Sequence, residues 1–170
     1  MAASHPPDTT PVAPATTPAA QPQQRAAAPE RYTPSPSAQR SQEMPPEVRN
    51  RLNEMLAKLE DALYDYDKSN IRPDATAALK DDVGVIRDIL AAYPNQKLLI
   101  EGNCDERGSE EYNLALGERR AKTAEEFMAS MGISNAQLTI VSLGKDHPVC
   151  TDQDEACWQR NRRAHITAAP

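Results

Sequence analysis

Between Glu101 and Ala121 the chain reads EGNCDERGSEEYNLALGERRA, and four of its residues have the chemistry to hold a small charged ligand. Asp105 offers a carboxylate for an ammonium group. Arg120 offers a guanidinium that takes a carboxylate through two parallel hydrogen bonds. Asn113 carries both a donor and an acceptor and can link a ligand to a loop. Arg107 stands beside Asp105 and is a weaker candidate. Together they would form a split clamp for a zwitterion, such as the free end of an amino acid. The same residues have a structural reading. An Asp105–Arg120 salt bridge would only fix the turn, and Asp105, Glu110 and Glu111 suit the positive end of a helix dipole. Spacing alone leaves both readings open.

The turn itself is bracketed by Gly102 and Gly108, which places Asp105, Glu106 and Arg107 on a loop at the carboxyl end of a strand. Gly102, Gly108 and Gly117 meet needs of the backbone. On the helix that follows, each residue advances by about 100°. Leu114, Gly117, Ala121, Ala124, Met128 and Met131 then share one face. Arg120 falls at the edge of that face, partly buried, whereas Arg119 points nearly opposite, into solvent. An inward arginine is expected to need a carboxylate partner.

The elements that must position these groups are legible as a sequence of periodic segments. PPEVRNRLNEMLAKLE has helical spacing at Val48, Leu52, Met55, Leu56 and Leu59 behind a proline. DALYDYD alternates as a short strand. IRPDATAALKDDVGVIRDILAAY is a helix with Asp74 as its cap and Leu79, Val83, Ile86 and Leu90 as its buried stripe, stopped by Pro94. QKLLIEGN is a strand, and SEEYNLALGERRAKTAEEFMASMG a helix ending at Gly132. AQLTIVSLG is a strand, DQDEACWQRN one or two helical turns, and RRAHITA a last strand. The order predicts an α+β fold, a β-α-β-α-β-β sandwich with two main helices packed on one face of a mixed sheet, after a leading helix.

Composition divides the chain. Eleven of the 15 prolines precede residue 47, among Thr, Ser, Gln and Ala with almost nothing large and apolar. Such a stretch buries too little surface to offset the entropy of ordering itself. Residues 1–45 are therefore expected to be a disordered Pro/Ala/Thr-rich linker, and 46–170 the folded domain. As a flexible coil the linker spans roughly 35–40 Å, and as polyproline about 130 Å. The formal net charge of −6 argues against a general nucleic-acid surface. One Trp and one Phe leave no aromatic platform for bases. No apolar run reaches a membrane span, and MAASHPPDTT is too polar for a signal-peptide core.

Four motifs in order, YDYDKSNI, the Glu101–Ala121 stretch, IVSLGKDHP and NRRAHI, together resemble the OmpA-like peptidoglycan-binding domain, over about Leu59 to Thr167. Within that family the likeness is to the lipoproteins of the Tol envelope system. The resemblance implies a non-catalytic domain, without a cofactor, that binds the meso-diaminopimelate residue of the peptidoglycan stem peptide. It would link the outer membrane to the cell wall and meet periplasmic proteins of the Tol system in cell division. By matched position, Asp105 takes the ammonium, Arg120 the carboxylate and Asn113 the family's helical asparagine. Asp65 and Tyr66 match a loop whose backbone lines the pocket. Arg162 matches a pocket arginine of the NRR motif, with its neighbour Arg163 as the rival assignment. Structural readings stand beside these: Asp67 and Lys68 fix a turn, Asn161 ends a helix, and Tyr64 and Tyr66 pack in the sheet. No cysteine precedes Cys104, so a lipid anchor and a place on the periplasmic face of the outer membrane are implied by the family and the linker.

In an oxidising periplasm Cys150 and Cys157 can pair and staple the acidic loop beside Trp158 to the last strand. The rival, a metal site with His147 and His165, lacks any standard zinc spacing. Cys104 admits an enzyme reading, a thiolate nucleophile with a histidine base, against a small buried residue that ends a strand. The neighbouring acids would raise its pKa. A third possibility is a protein-interaction scaffold of the same fold, related to porin-linked or stator domains.

Overall fold

The computed structural model describes residues 44–170; the linker expected over residues 1–45 lies almost wholly outside the described residues. Four α-helices and four strands follow in order, with a 3-10 turn at Asn135–Gln137 before β3: α1 (Pro46–Leu56), β1 (Ala62–Leu63), α2 (Pro73–Ala92), β2 (Leu98–Asn103), α3 (Glu110–Ser130), β3 (Leu138–Gly144), α4 (Glu155–Asn161) and β4 (Arg163–Ala168). The four strands form one mixed sheet in the order β1-β4-β2-β3. β4 runs antiparallel to both β1 and β2, and β2 runs parallel to β3. The expected α+β architecture is present, with α4 as a full helix between the last two strands.

The core follows from strand alternation and helix periodicity together. Leu98 and Ile100 of β2, Leu138 of β3 and Ile166 of β4 turn one side of the sheet toward Leu79, Val83, Ile86, Ala121, Ala124 and Met128 of the helices. Leu52 and Leu56 of α1 join the same cluster. The predicted α2 stripe is buried as expected. Two local expectations are corrected. Arg72 is the N-cap of α2 and Pro73 its first residue; Asp74, one position on, binds the Arg72 side chain instead of capping. The strand in DALYDYD shrinks to two residues, because the chain turns after Tyr64, which forms an isolated bridge with Ile71.

Two glycines set the depth at which α3 lies on the sheet. A Cβ at Gly102 of β2 would stand 1.8 Å from the Gly117 carbonyl oxygen, and one at Gly117 would stand 2.3 Å from Ser142 Oγ. Only residues without side chains permit this crossing. It places the helical turn carrying Arg120 directly over the end of β2. There the register with β3 shifts between Gly102 and Asn103, and Cys104 N–H donates to the Gly144 carbonyl at 2.7 Å. The chain leaves the sheet at this point and forms the loop of Asp105.

Candidate functional site

The loop between β2 and α3 is fixed from both ends. Gly108 takes φ of +94°, and Ser109 caps α3 by accepting from Tyr112 N–H at 3.2 Å. Asn113, buried on the first turns of α3, donates its amide to the carbonyls of Arg107 at 2.8 Å and Ser109 at 3.1 Å. Lys145, just past β3, donates to the Gly108 carbonyl at 2.8 Å. The loop backbone is thereby held before any ligand is considered.

Arg120 departs most from expectation. It is fully buried, not partly so, and none of the ion pairs among the described residues includes it. Its guanidinium donates instead to three main-chain carbonyls: Nε to Lys68 at 2.9 Å, Nη1 to Asn103 at 3.0 Å and Nη2 to Asp65 at 3.1 Å. The expected Asp105–Arg120 salt bridge is absent from these ion pairs. Carbonyl dipoles satisfy donors without neutralising charge, so burial pulls the Arg120 pKa below the ordinary arginine range, partly countered by Cys104, Tyr64 and Asp105. The Tyr64 ring lies 5.3 Å from the guanidinium carbon, and its hydroxyl donates to the Arg120 carbonyl at 2.8 Å. Tyr64 is a core residue as the packing reading had it.

Asp105 finds its partners elsewhere. One oxygen accepts from the Arg107 main-chain N–H at 3.1 Å and from Arg107 Nε at 3.2 Å; the other accepts from Arg107 Nη2 at 2.6 Å and Arg162 Nη1 at 3.1 Å. Burial raises its pKa, but the bonds from Arg107 and Arg162 outweigh it and hold the carboxyl below the usual range. Arg107 is itself layered between two rings, 4.1 Å from the Tyr66 centroid and 4.0 Å from that of Trp158. Tyr66 is therefore not sheet packing: it is exposed at the pocket rim.

These groups surround a pocket lined by Tyr66, Asp67, Cys104, Asp105, Arg107, Gly108, Tyr112, Asn113, Leu116 and Arg120. Five of the seven residues singled out in the sequence thus share one wall. Asp65 contributes its carbonyl to Arg120 while its side chain pairs with Lys68 at 3.9 Å and Arg72 at 3.8 Å. Arg162 stands behind Asp105, bonded also to the Tyr64 carbonyl at 3.1 Å and to Glu155. Its neighbour Arg163 faces away, toward Asp61 at 3.4 Å.

Sequence reasoning missed the contribution of α4. Trp158 stacks on Arg107 and donates to Glu106 at 3.1 Å; Gln159 donates to the Tyr64 carbonyl at 3.0 Å. The spacing Glu155, Trp158, Gln159, Arg162 marks one helical face and was the available signal. Cys150 and Cys157 are joined as a disulfide, with Cα atoms 5.3 Å apart; it ties the loop after β3 to α4, not to the last strand. Cys104 donates its thiol to the Asn113 carbonyl at 3.3 Å, and burial pushes its pKa up to about 11. His165 is engaged by Asp61 at 2.7 Å, and His147 is exposed. Among the described residues no group of three or more His, Cys, Asp or Glu could hold a metal ion, and no helix is long and apolar enough to cross a membrane.

Comparison with known proteins identifies the family and the fold. The peptidoglycan-associated lipoprotein of Pseudomonas aeruginosa is 45% identical over 103 residues, covering 61% of this chain and 58% of that protein. The one from Agrobacterium fabrum is 43% identical over 101 residues, covering 59% and 55%. The chain thus spans less than two thirds of the length of these relatives. The crystal structure of the peptidoglycan-associated lipoprotein from Burkholderia pseudomallei matches at a TM-score of 0.59 and 38% identity, covering 71% of this chain and 98% of that one. The C-terminal domain of Helicobacter pylori MotB shares the fold, at a TM-score of 0.58, 15% identity and coverage of 65% and 84%. With a model of the OmpA family matching residues 63–162, well over half its length, the chain belongs to the OmpA family.

Proposed function

We propose that the domain binds peptidoglycan without turnover, through the diaminopimelate residue of the stem peptide. The observation that carries this reading is Arg120: a fully buried guanidinium, held by carbonyls and not by a carboxylate, on the wall of a pocket. A buried charge of this kind costs several kcal/mol, on the order of what a pair of parallel hydrogen bonds to an incoming carboxylate would offset. A carboxylate and an ammonium on one carbon match Arg120 and Asp105 in turn. Asp105 already carries Arg107, so the ligand ammonium takes over a bond that Arg107 releases. Asn113, Tyr66 and the carbonyl of Asp65 shape the cavity, and Arg162 supports Asp105 from behind.

The names of the relatives fit a peptidoglycan-associated role. The fuller role proposed is a lipid-anchored protein at the periplasmic face of the outer membrane, with residues 1–45 as the tether and Tol-system proteins as partners. The test is calorimetric titration with a diaminopimelate muropeptide and with its lysine counterpart, which lacks the second carboxylate. Saturable binding of the first and at least tenfold weaker binding of the second is expected. Absence of binding to the diaminopimelate form by folded protein would overturn the reading and direct the search to protein partners.

A further inference from the structure

The Cys150–Cys157 disulfide closes a short loop outside the lining of the pocket, yet everything it holds leads back to the pocket. We propose that it is a redox-sensitive staple that sets the affinity of the pocket by keeping α4 in place behind Asp105. The inference rests on the ligand reading above.

The argument begins with the length of α4. Seven residues make a helix too short to persist by itself in water. Its position depends on what grips it. Asp154 caps its first turn by accepting from Cys157 N–H at 2.8 Å. At the other end Asn161, buried, accepts from Val149 N–H at 2.9 Å and Cys150 N–H at 3.2 Å and donates to the Cys150 carbonyl at 2.7 Å. The disulfide grips the same loop residue from one helical turn earlier. Cys150 is thus the point where loop and helix are locked together.

What α4 presents in return is the rear wall of the site. Trp158 covers one face of the Arg107 guanidinium, and Arg162, at the C-cap, holds the Asp105 oxygen that Arg107 Nη2 also uses. If α4 slides or frays, Asp105 loses one cation and Arg107 loses one ring. The competent pocket is then populated only part of the time, and apparent affinity falls in proportion to that fraction.

Cys150 is half-buried and Cys157 buried, so attack comes at Cys150 Sγ. The thiolate of an external dithiol bonds to that sulfur, the S–S bond breaks, and Cys157 leaves as a thiolate that takes up a proton. The second thiolate of the dithiol then bonds to the first sulfur, releasing Cys150, which is protonated. The protein gains two electrons and two protons and the dithiol becomes a disulfide.

The test titrates the diaminopimelate muropeptide into the oxidised protein, into the protein reduced with dithiothreitol, and into a Cys150→Ser, Cys157→Ser variant with and without the dithiol. Trp158, the only tryptophan, reports on α4 by its emission. Expected are binding about tenfold weaker after reduction, a change in Trp158 emission well below the melting temperature, and a double variant that matches the reduced protein and ignores the dithiol. A staple serving stability alone would lower the melting temperature and leave affinity and emission unchanged, and that result overturns the proposal. Absence of binding by the oxidised protein overturns the ligand reading instead.

Discussion

Asp105→Asn removes one negative charge from the point where two guanidinium groups meet it. The side chain of Asp105 is 5% exposed and that of Arg162 is 2% exposed, so water screens little of their attraction; Arg107, at 31%, is partly screened. The amide is nearly the same size, so no cavity opens. Its oxygen can keep two of the four bonds, while its NH2 faces the donors of Arg107 and Arg162. Removing one partner of a buried pair costs about 3–5 kcal/mol, and the exposure of Arg107 puts the loss near 3 kcal/mol. For a domain of this size that is a fall in melting temperature of roughly 12 °C. Circular dichroism melts at pH 7 measure it, with 1 M salt changing the difference little because the pair is buried. The sign with pH is fixed as well. The folded carboxyl titrates below its unfolded value, so its contribution is complete above about pH 4 and is lost as pH falls through the folded pKa. Wild type and variant should converge in acid. A fall of less than about 4 °C at pH 7, or a gap that persists in acid, would refute the view that Asp105 organises two arginines.

Three further outcomes follow from single residues. Cys104 is pushed up to about 11 by burial, so at pH 8 only about one thiol in a thousand is ionised; iodoacetamide should label it only on unfolding, and prompt labelling of folded protein would revive a nucleophilic role. Gly102→Ala places a methyl group on the Gly117 carbonyl oxygen and should cost about 3 kcal/mol or more, read as a lower urea midpoint; a wild-type midpoint would mean that α3 can lift off β2 freely. The hydrogen bond to Asp61 holds the His165 pKa above the ordinary histidine value, burial notwithstanding. Its stabilising contribution is therefore full below about pH 6.5 and lost as pH rises through the folded pKa. A proton-resonance titration should show the raised pKa, and His165→Gln should remove that slope from the stability profile.

The long periodic segments were legible because their burial repeats: Leu79, Val83, Ile86 and Leu90 need only a helical period to be recognised. Asp74 misled because a carboxylate at a helix start looks like a cap, whereas the proline before it had already opened the helix. The site was legible as a set of residues but not as a set of bonds. Arg120 lies where the helical wheel puts the border of the buried face, and only the Gly102–Gly117 crossing carries it fully inside. Nor does the spacing 105 to 120 say that Asp105 turns toward Arg162, because that pairing is made by β4 and α4 returning beside the loop across 57 residues of sequence. Tyr66 alternates like a strand residue, yet the strand ends first and leaves its ring free to face Arg107.

The grip of Arg120 has one more consequence. Its three bonds end on carbonyl oxygens of residues 65, 68 and 103 and on none of their side chains. Every amino acid supplies the same carbonyl, so the hold on the rim loop does not depend on the side-chain identities at positions 65 and 68. Those two sites can drift or be diversified while the guanidinium keeps its three bonds, with only the exposed ion pairs of Asp65 to Lys68 and Arg72 given up. The domain thereby separates an anchor made of main chain from side chains free to vary, and a saturation library at positions 65 and 68 should leave the melting temperature little changed.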